Sequence, residues 1–330
     1  MFASLICAAG SPAATVTVGP HLPMHVVENV IIGCSGSCAF TNPTAPEGAS
    51  HLAPADGVIL RWRLYGGSAT SPESPHPAYR LRVLTPFAGG YLAAGTSAWM
   101  VPARFEAVET FSTRLPVKAG QLVALEMNED SHLRFDFSQG ATSVFLEPAP
   151  ADGESATEAP GWEDGYIFPF NADILPPPVI ASVSPASGPI GGGTKVVVAG
   201  SNFAEVAGVE VGGLPAQYTV DSESQLTAVA PPRQKVGPIA VTVITVAGAA
   251  EAAGAYRYEG CLVPKLKGKS LEATRTVLDR RHCKLGKVRK RHGATAKTGR
   301  VKRQAPPRGT LLRPDARVEV ALGLNPKPHR

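Results

Sequence analysis

The residues that could do chemistry in this 330-residue chain are five cysteines, eight histidines and one long basic run. Four of the cysteines fall into two local pairs, Cys34 with Cys38 and Cys261 with Cys283, and the fifth is Cys7. An even count in local pairs suits an oxidising compartment. A bridge between Cys261 and Cys283 would close a loop of about twenty residues. It would stabilise by roughly 3 kcal/mol through lost unfolded-chain entropy. The alternative is a pair of unpaired core thiols. For Cys34-Ser-Gly-Ser-Cys38 an extended backbone would hold the two Cα atoms about 13 Å apart, too far to bridge. A disulfide there requires a tight turn at Gly36. Free thiols are the second reading. A metal site is the third, with His51 and His76 as the available ligands but no recognised zinc spacing.

Catalytic patterns are sparse. There is no His-Glu-x-x-His and no Gly-x-Ser-x-Gly. Asp130-Ser131-His132 brings three hydrolase residue types together, but adjacency in sequence is not triad geometry, and it reads as a polar loop. Gly191-Gly192-Gly193-Thr194 lacks the Gly-Lys-Ser/Thr and the following helix of a phosphate loop. No catalytic residue, metal ligand set or cofactor follows from the sequence. Of the three tryptophans, Trp62 lies in an apolar strand pattern and is expected in the core. Trp162 lies in an acidic segment and is the better candidate for an exposed, ligand-stacking ring.

Charge divides the chain. Residues 1–260 carry 12 Lys/Arg against 23 Asp/Glu, and residues 261–330 carry 20 against 4. The last seventy residues are therefore the part any polyanion prefers. The basic positions Lys284, Lys287, Arg289, Lys290, Arg291, Arg303 and Arg308, with Gln304 between them, are candidate contacts for such a polymer. No Phe, Tyr or Trp is interleaved with them, so base stacking on nucleic acid is not expected.

The elements that must position these residues are mostly strands. Gly and Pro punctuate short runs of Val, Ile, Leu and Thr. Residues 1–15 resemble the later part of a secretory signal, with an apolar stretch and then small residues but no basic n-region, so the start can lie upstream. Residues 16–175 predict a jelly-roll-like β-sandwich of seven to ten strands, its ligand unspecified. In Tyr79-Arg-Leu-Arg-Val-Leu84 the arginines alternate with apolar residues, predicting one face in the core and one in water. Pro148 to Gly165 is acidic and poor in strand formers and reads as a long surface loop. Pro176-Pro177-Pro178 is a stiff break.

Residues 179–259 then run Ser184-Pro185, Ser187-Gly188-Pro189, Gly191-Gly192-Gly193-Thr194 and Gly200-Ser201-Asn202-Phe203. This series resembles the IPT/TIG family of immunoglobulin-like domains. Gly192 and Gly193 are placed for a turn with positive φ, and Phe203 to plug one end of a sandwich. In residues 260–324, Ser270 is a plausible N-cap for a helix with Leu271, Thr274, Val277 and Leu278 on one face. Around it stand Val263-Pro264, Gly268, Gly286, Val288, Val301, Gln304, Pro306, Gly309, Val318 and Val320. That pattern resembles a PASTA domain, a small α+β module. Residues 325–330 form a tail.

The two resemblances imply a non-enzymatic cell-surface or cell-wall protein of a bacterium; the signal-like segment and paired cysteines point to export, and a composition rich in Ala, Gly, Pro and Arg suggests a high-GC genome such as an actinobacterium's. The PASTA resemblance implies contact with peptidoglycan or an anionic wall polymer. The IPT/TIG resemblance implies a spacer or protein-interaction module. Two other readings stay open: a carbohydrate-binding or hydrolytic N-terminal sandwich, and nucleic-acid binding by the basic C-terminal part. No apolar run long enough to span a membrane is present.

Overall fold

The computed structural model describes residues 15–27, 31–65, 67–69, 77–104, 107–160, 163–291 and 293–324. The chain is mainly β, and one α-helix, Leu271–Asp279, occurs among the described residues. It divides into two compact units, Met1–Pro177 with Val246–Gly248, and Pro178–Thr245 with Ala249–Arg330.

The first unit is built on two facing sheets. One has four strands, in the order Val16–Val18, Phe170–Leu175, Gly57–Leu64 and Glu109–Val117. The other has six, in the order Val144–Leu146, Ser37–Thr41, Leu122–Asn128, Tyr79–Phe87, Gly90–Thr96 and Ser155–Ala156. Alternate residues of both sheets meet in one core. Ile59, Trp62, Leu115 and Ile174 come from the first sheet, and Phe40, Tyr79, Leu81, Val83, Leu125 and Met127 from the second. Trp62 is fully buried, as its strand pattern predicted. Among the described residues five further short strands, including Ser131–Arg134 and the pair Asp136–Phe137 and Tyr166–Ile167, take the count beyond the seven to ten expected.

Two expectations for this unit need correction. Alternation along Tyr79–Phe87 puts Arg80 and Arg82 opposite the core residues Tyr79, Leu81 and Val83, but that opposite face is not in water. Arg82 is only 1% exposed. The acidic segment after Pro148, read from sequence as a free surface loop, covers this face and adds the edge strand Ser155–Ala156, paired with Tyr91 and Leu92. Under it Ala39, Leu84, Ala93, Leu122, Ala124 and Leu146 form a second apolar layer, with Ala149 and Ala156 packed against them. The same face carries an ion-pair chain. Glu126 receives Arg80 Nη2 at 2.8 Å and Arg82 Nη2 at 2.7 Å, and Arg82 Nη1 reaches Asp152 of the covering segment at 3.1 Å.

The four-stranded sheet repeats the device on its own outer side. Asp173 accepts from Thr17, Arg61 and Arg63. Burial alone would raise the Asp173 carboxyl. The hydrogen bonds from Arg63, Arg61 and Thr17 outweigh it and hold the group below the usual carboxylate range.

In the second unit, two four-stranded sheets face each other. They are Val179–Ser184, Lys195–Ser201, Gln225–Val229 and Gln217–Ser222 against Ser187–Pro189, Gly248–Glu259, Gly237–Thr245 and Val206–Val211. Val196, Val198, Leu226, Val209, Val241, Tyr256 and Tyr258 fill the space between them. Gly192 and Gly193 turn with φ 74° and 82°. Asn202 at φ 60° aims Phe203 into this core, where it is 1% exposed. A Cβ on Gly200 would strike both the Val179 carbonyl and the Phe203 ring, which is why the position before Ser-Asn-Phe holds glycine.

The same unit contains a small α+β core made of Cys261, Val263, Leu266, Leu278, Cys283, Val301, Val318, Val320 and Leu322. Ser270 caps the helix, its Oγ accepting from Ala273 N at 3.2 Å, and Thr274 and Leu278 are its buried residues.

The Glu126 carboxylate is 1% exposed and holds two guanidiniums, so removing it leaves buried charge uncompensated. Glu126→Ala is expected to cost the first unit about 3 kcal/mol or more. The measurement is the urea midpoint of its unfolding transition; a loss below about 1 kcal/mol would show that the network does not hold the covering segment.

Candidate functional site

The basic residues of the C-terminal part are organised by one three-stranded sheet. Ala316–Gly323 is central, parallel to Cys283–Lys290 on one side and antiparallel to Arg300–Ala305 on the other. In the central strand Val318, Val320 and Leu322 point to the core, while Arg317 and Glu319 are exposed. Register extends that division sideways. Lys284 lies beside Arg317, and Arg289, Ala321 and Arg303 form one row across the sheet. Neighbouring strands are about 4.8 Å apart, so Arg289 and Arg303 stand roughly 10 Å apart at the backbone, with small Ala321 between them. The helix and core occupy the other face.

The outer face is thus basic with little compensation. Arg289 approaches Glu319 only to 4.0 Å, and Lys284 lies 3.7 Å from Asp279 and 3.6 Å from Asp315, all with solvent-exposed side chains. Such exposed pairs contribute little and leave the cations available. Arg303, Lys287 and Lys290 are exposed and have no carboxylate partner among the described residues. The strand Cys283–Lys290 shifts register between Leu285 and Val288. Gly286 sits in that irregularity, where an added Cβ would press on Arg317 Cβ and the Val318 backbone at 3.2 and 3.3 Å. Arg291 follows this strand and is exposed, and Arg308 lies on the turn after Arg300–Ala305, away from the row.

Gln304 does not belong with these contacts. Its Oε1 accepts from Leu266 N at 2.8 Å, and its Nε2 donates to Pro264 O at 3.0 Å and Pro306 O at 3.4 Å. The side chain ties two segments of the small domain together, with both ends of its amide engaged inside the module. Sequence spacing placed it among basic neighbours, but only the fold shows where its amide points.

Both cysteine pairs lie at disulfide distance. Cys34 and Cys38 have Cα atoms 5.8 Å apart, reached through Gly36 at φ 122°, and Cys261 and Cys283 have Cα atoms 4.8 Å apart. Cys261 and Cys283 are both fully buried in the α+β core.

His51 cannot serve as a metal ligand. Its Nδ1 accepts from Asn42 N at 3.1 Å, so the proton sits on Nε2, which donates to Phe170 O at 2.9 Å. The ring stacks on Phe170 at 3.9 Å. Burial drives its pKa down from 6.5 to about 4, against the opposing effect of the Phe170 carbonyl. His76 and Trp162 lie outside the described residues, and no group of three or more His, Cys, Asp or Glu residues is placed for a metal among the described ones. Ser131 and His132 stand on the strand Ser131–Arg134 and not in a loop. Ser131 is buried and bonded to Asn128 and Ala78, with no triad geometry.

Residues 178–258 match the IPT/TIG domain family. Among solved structures, the full extracellular region of plexin A4 is similar at 19% identity with a TM-score of 0.23, over 54% of this chain and 14% of that one. The chain thus spans about a seventh of that structure. No curated protein matches the chain. No helix among the described residues is long and apolar enough to cross a membrane.

Two outcomes follow from these side chains. Gln304→Leu strands the Leu266 amide and the Pro264 carbonyl, so it should cost about 2 kcal/mol or more in urea denaturation while leaving retention on an anionic polymer resin unchanged. His51 is neutral in the fold and ordinary when unfolded, so the unfolded chain takes up the proton first as pH falls. Its contribution is whole above about pH 6.5 and is lost toward pH 4, by about 3 kcal/mol in all. Unfolding midpoints across that window should fall in the parent protein and flatten in His51→Gln; parallel curves would assign the acid sensitivity elsewhere.

Proposed function

We propose that the chain is an exported, non-enzymatic binding protein of a bacterial cell surface or cell wall. Its C-terminal α+β module holds peptidoglycan or an anionic wall polymer, and its IPT/TIG domain acts as a spacer or protein-interaction module. The observation that carries the reading is the basic outer sheet face, where Lys284, Arg289, Arg303 and Arg317 share one surface and the nearby carboxylates Glu319, Asp279 and Asp315 form only exposed, long pairs. A repeating polyanion would bridge such a row, releasing counterions as it binds. The lack of aromatic residues in this module favours a polymer read by charge over a stacked nucleic-acid base.

Three further features support the reading. Of the PASTA-like pattern, Gly286 sits at the register shift and Gln304 forms an internal clamp. The two cysteine pairs at bonding distance suit an oxidising compartment. The acidic first unit is not drawn to an anionic wall, so attraction is confined to the basic end of the chain.

The test is sedimentation of the full chain with insoluble peptidoglycan, with and without attached teichoic acid, across a salt series. The triple variant Arg289→Glu, Arg303→Glu and Arg317→Glu should lose at least tenfold in retention, and retention of the parent should fall as salt rises. Equal retention of parent and variant would overturn the assignment of the sheet face. Absence of binding by the parent would overturn wall association.

A further inference from the structure

We propose that the first unit carries a second binding site, specific for a neutral saccharide, in the cleft beside the short ladder of Asp136–Phe137 and Tyr166–Ile167. The cleft has a volume of about 530 Å³, within the range that holds small ligands, and is lined by Phe137, Ser138, Gln139, Thr142, Asp164 and Gly165 among others. This inference does not depend on the basic sheet face.

Phe137 is the unusual residue. It is 52% exposed although the unit has a well-filled core. Its position is nevertheless fixed. Phe135, 1% exposed, meets the Phe137 ring edge-on at 5.3 Å and Tyr166 at 4.7 Å, and Phe137 and Tyr166 are 5.0 Å apart. Two rings anchored in the core therefore support a third that remains open to solvent. An aromatic surface held this way costs little ordering entropy when a ligand stacks on it.

The polar groups beside the ring indicate the ligand. Asp164 is pinned by one oxygen, Oδ1, which accepts from Ser143 N at 2.9 Å, and its Oδ2 has no partner among the described residues. The Ser138 hydroxyl and Gln139 amide are likewise unengaged there. An aromatic face with a fixed carboxylate, an amide and a hydroxyl matches a pyranose ring. The C–H face of the sugar packs on Phe137, and its hydroxyls donate to Asp164 and exchange hydrogen bonds with Gln139. An anionic sugar is disfavoured, because residues 135–194 contain no Lys or Arg. A cation lacks converging carboxylates, because Asp164 is the one carboxylate among the residues that line the cleft.

The experiment is titration calorimetry on the full chain with cellotetraose, with the β-1,4-linked N-acetylglucosamine tetramer, and with tetralysine as a cationic probe. At least one neutral tetrasaccharide should bind with Kd on the order of 1 mM or tighter, independent of salt. Phe137→Ala should weaken it at least tenfold with an unchanged thermal midpoint, Phe137→Trp should retain it, and Phe87→Ala, an exposed ring elsewhere, should not alter it. Failure of both neutral probes overturns the proposal, as does equal affinity in Phe137→Ala. Binding of tetralysine alone, abolished by salt, would overturn it in favour of a cation site.

Discussion

Each strand of this chain puts successive side chains on opposite faces, so every sheet has two surfaces and each must find cover or meet water. Most features of the structure are answers to that constraint. In the IPT/TIG domain the two sheets cover one another with valines and tyrosines. In the first unit the two large sheets do the same, but each also carries on its outer side a carboxylate, Asp173 or Glu126, that the fold buries.

Burying those charges is costly unless they are paired and hydrogen-bonded. Glu126 meets Arg80 and Arg82, and Asp173 meets Arg61, Arg63 and Thr17. The Arg82–Asp152 pair then links the six-stranded sheet to the acidic segment that covers it, while Ala149 and Ala156 close over the apolar part of the same face. The ion pairs fix which segment lies where, and the alanines and leucines beneath supply the apolar burial.

The small C-terminal sheet meets the constraint differently. Its inner face packs under a nine-residue helix and around the Cys261–Cys283 pair. Its outer face has no cover among the described residues, and Ala305 and Ala321 are its apolar side chains in register with Glu319, Arg289 and Arg303. Charge repulsion across Lys284, Arg289, Arg303 and Arg317 is tolerated because water screens it, and an anionic polymer would relieve it. Gln304 and Gly286 preserve the sheet's geometry from within. The division of labour is therefore between side chains that hold the face flat and side chains that present charge from it.

Local rules made much of this legible in the sequence. Periodicity two gave the core residues of Tyr79–Leu84, the strand pattern gave the burial of Trp62, the Gly-Gly turn and Asn202-Phe203 marked the immunoglobulin-like sandwich, and Ser270 marked the helix start. Each depends on neighbours in the chain, where backbone stereochemistry and burial act over a few residues. Local pairing of cysteines and the concentration of positive charge after residue 260 were equally plain. What alternation could not tell was whether a non-core face meets water, since that depends on a segment seventy residues away, as with Arg82 and Asp152. Nor could it separate Gln304, an internal clamp, from the basic residues around it, or reveal that both nitrogens of His51 are already bonded. Those outcomes belong to tertiary structure, because a side chain's role is set by the atoms that surround it and not by its neighbours along the chain.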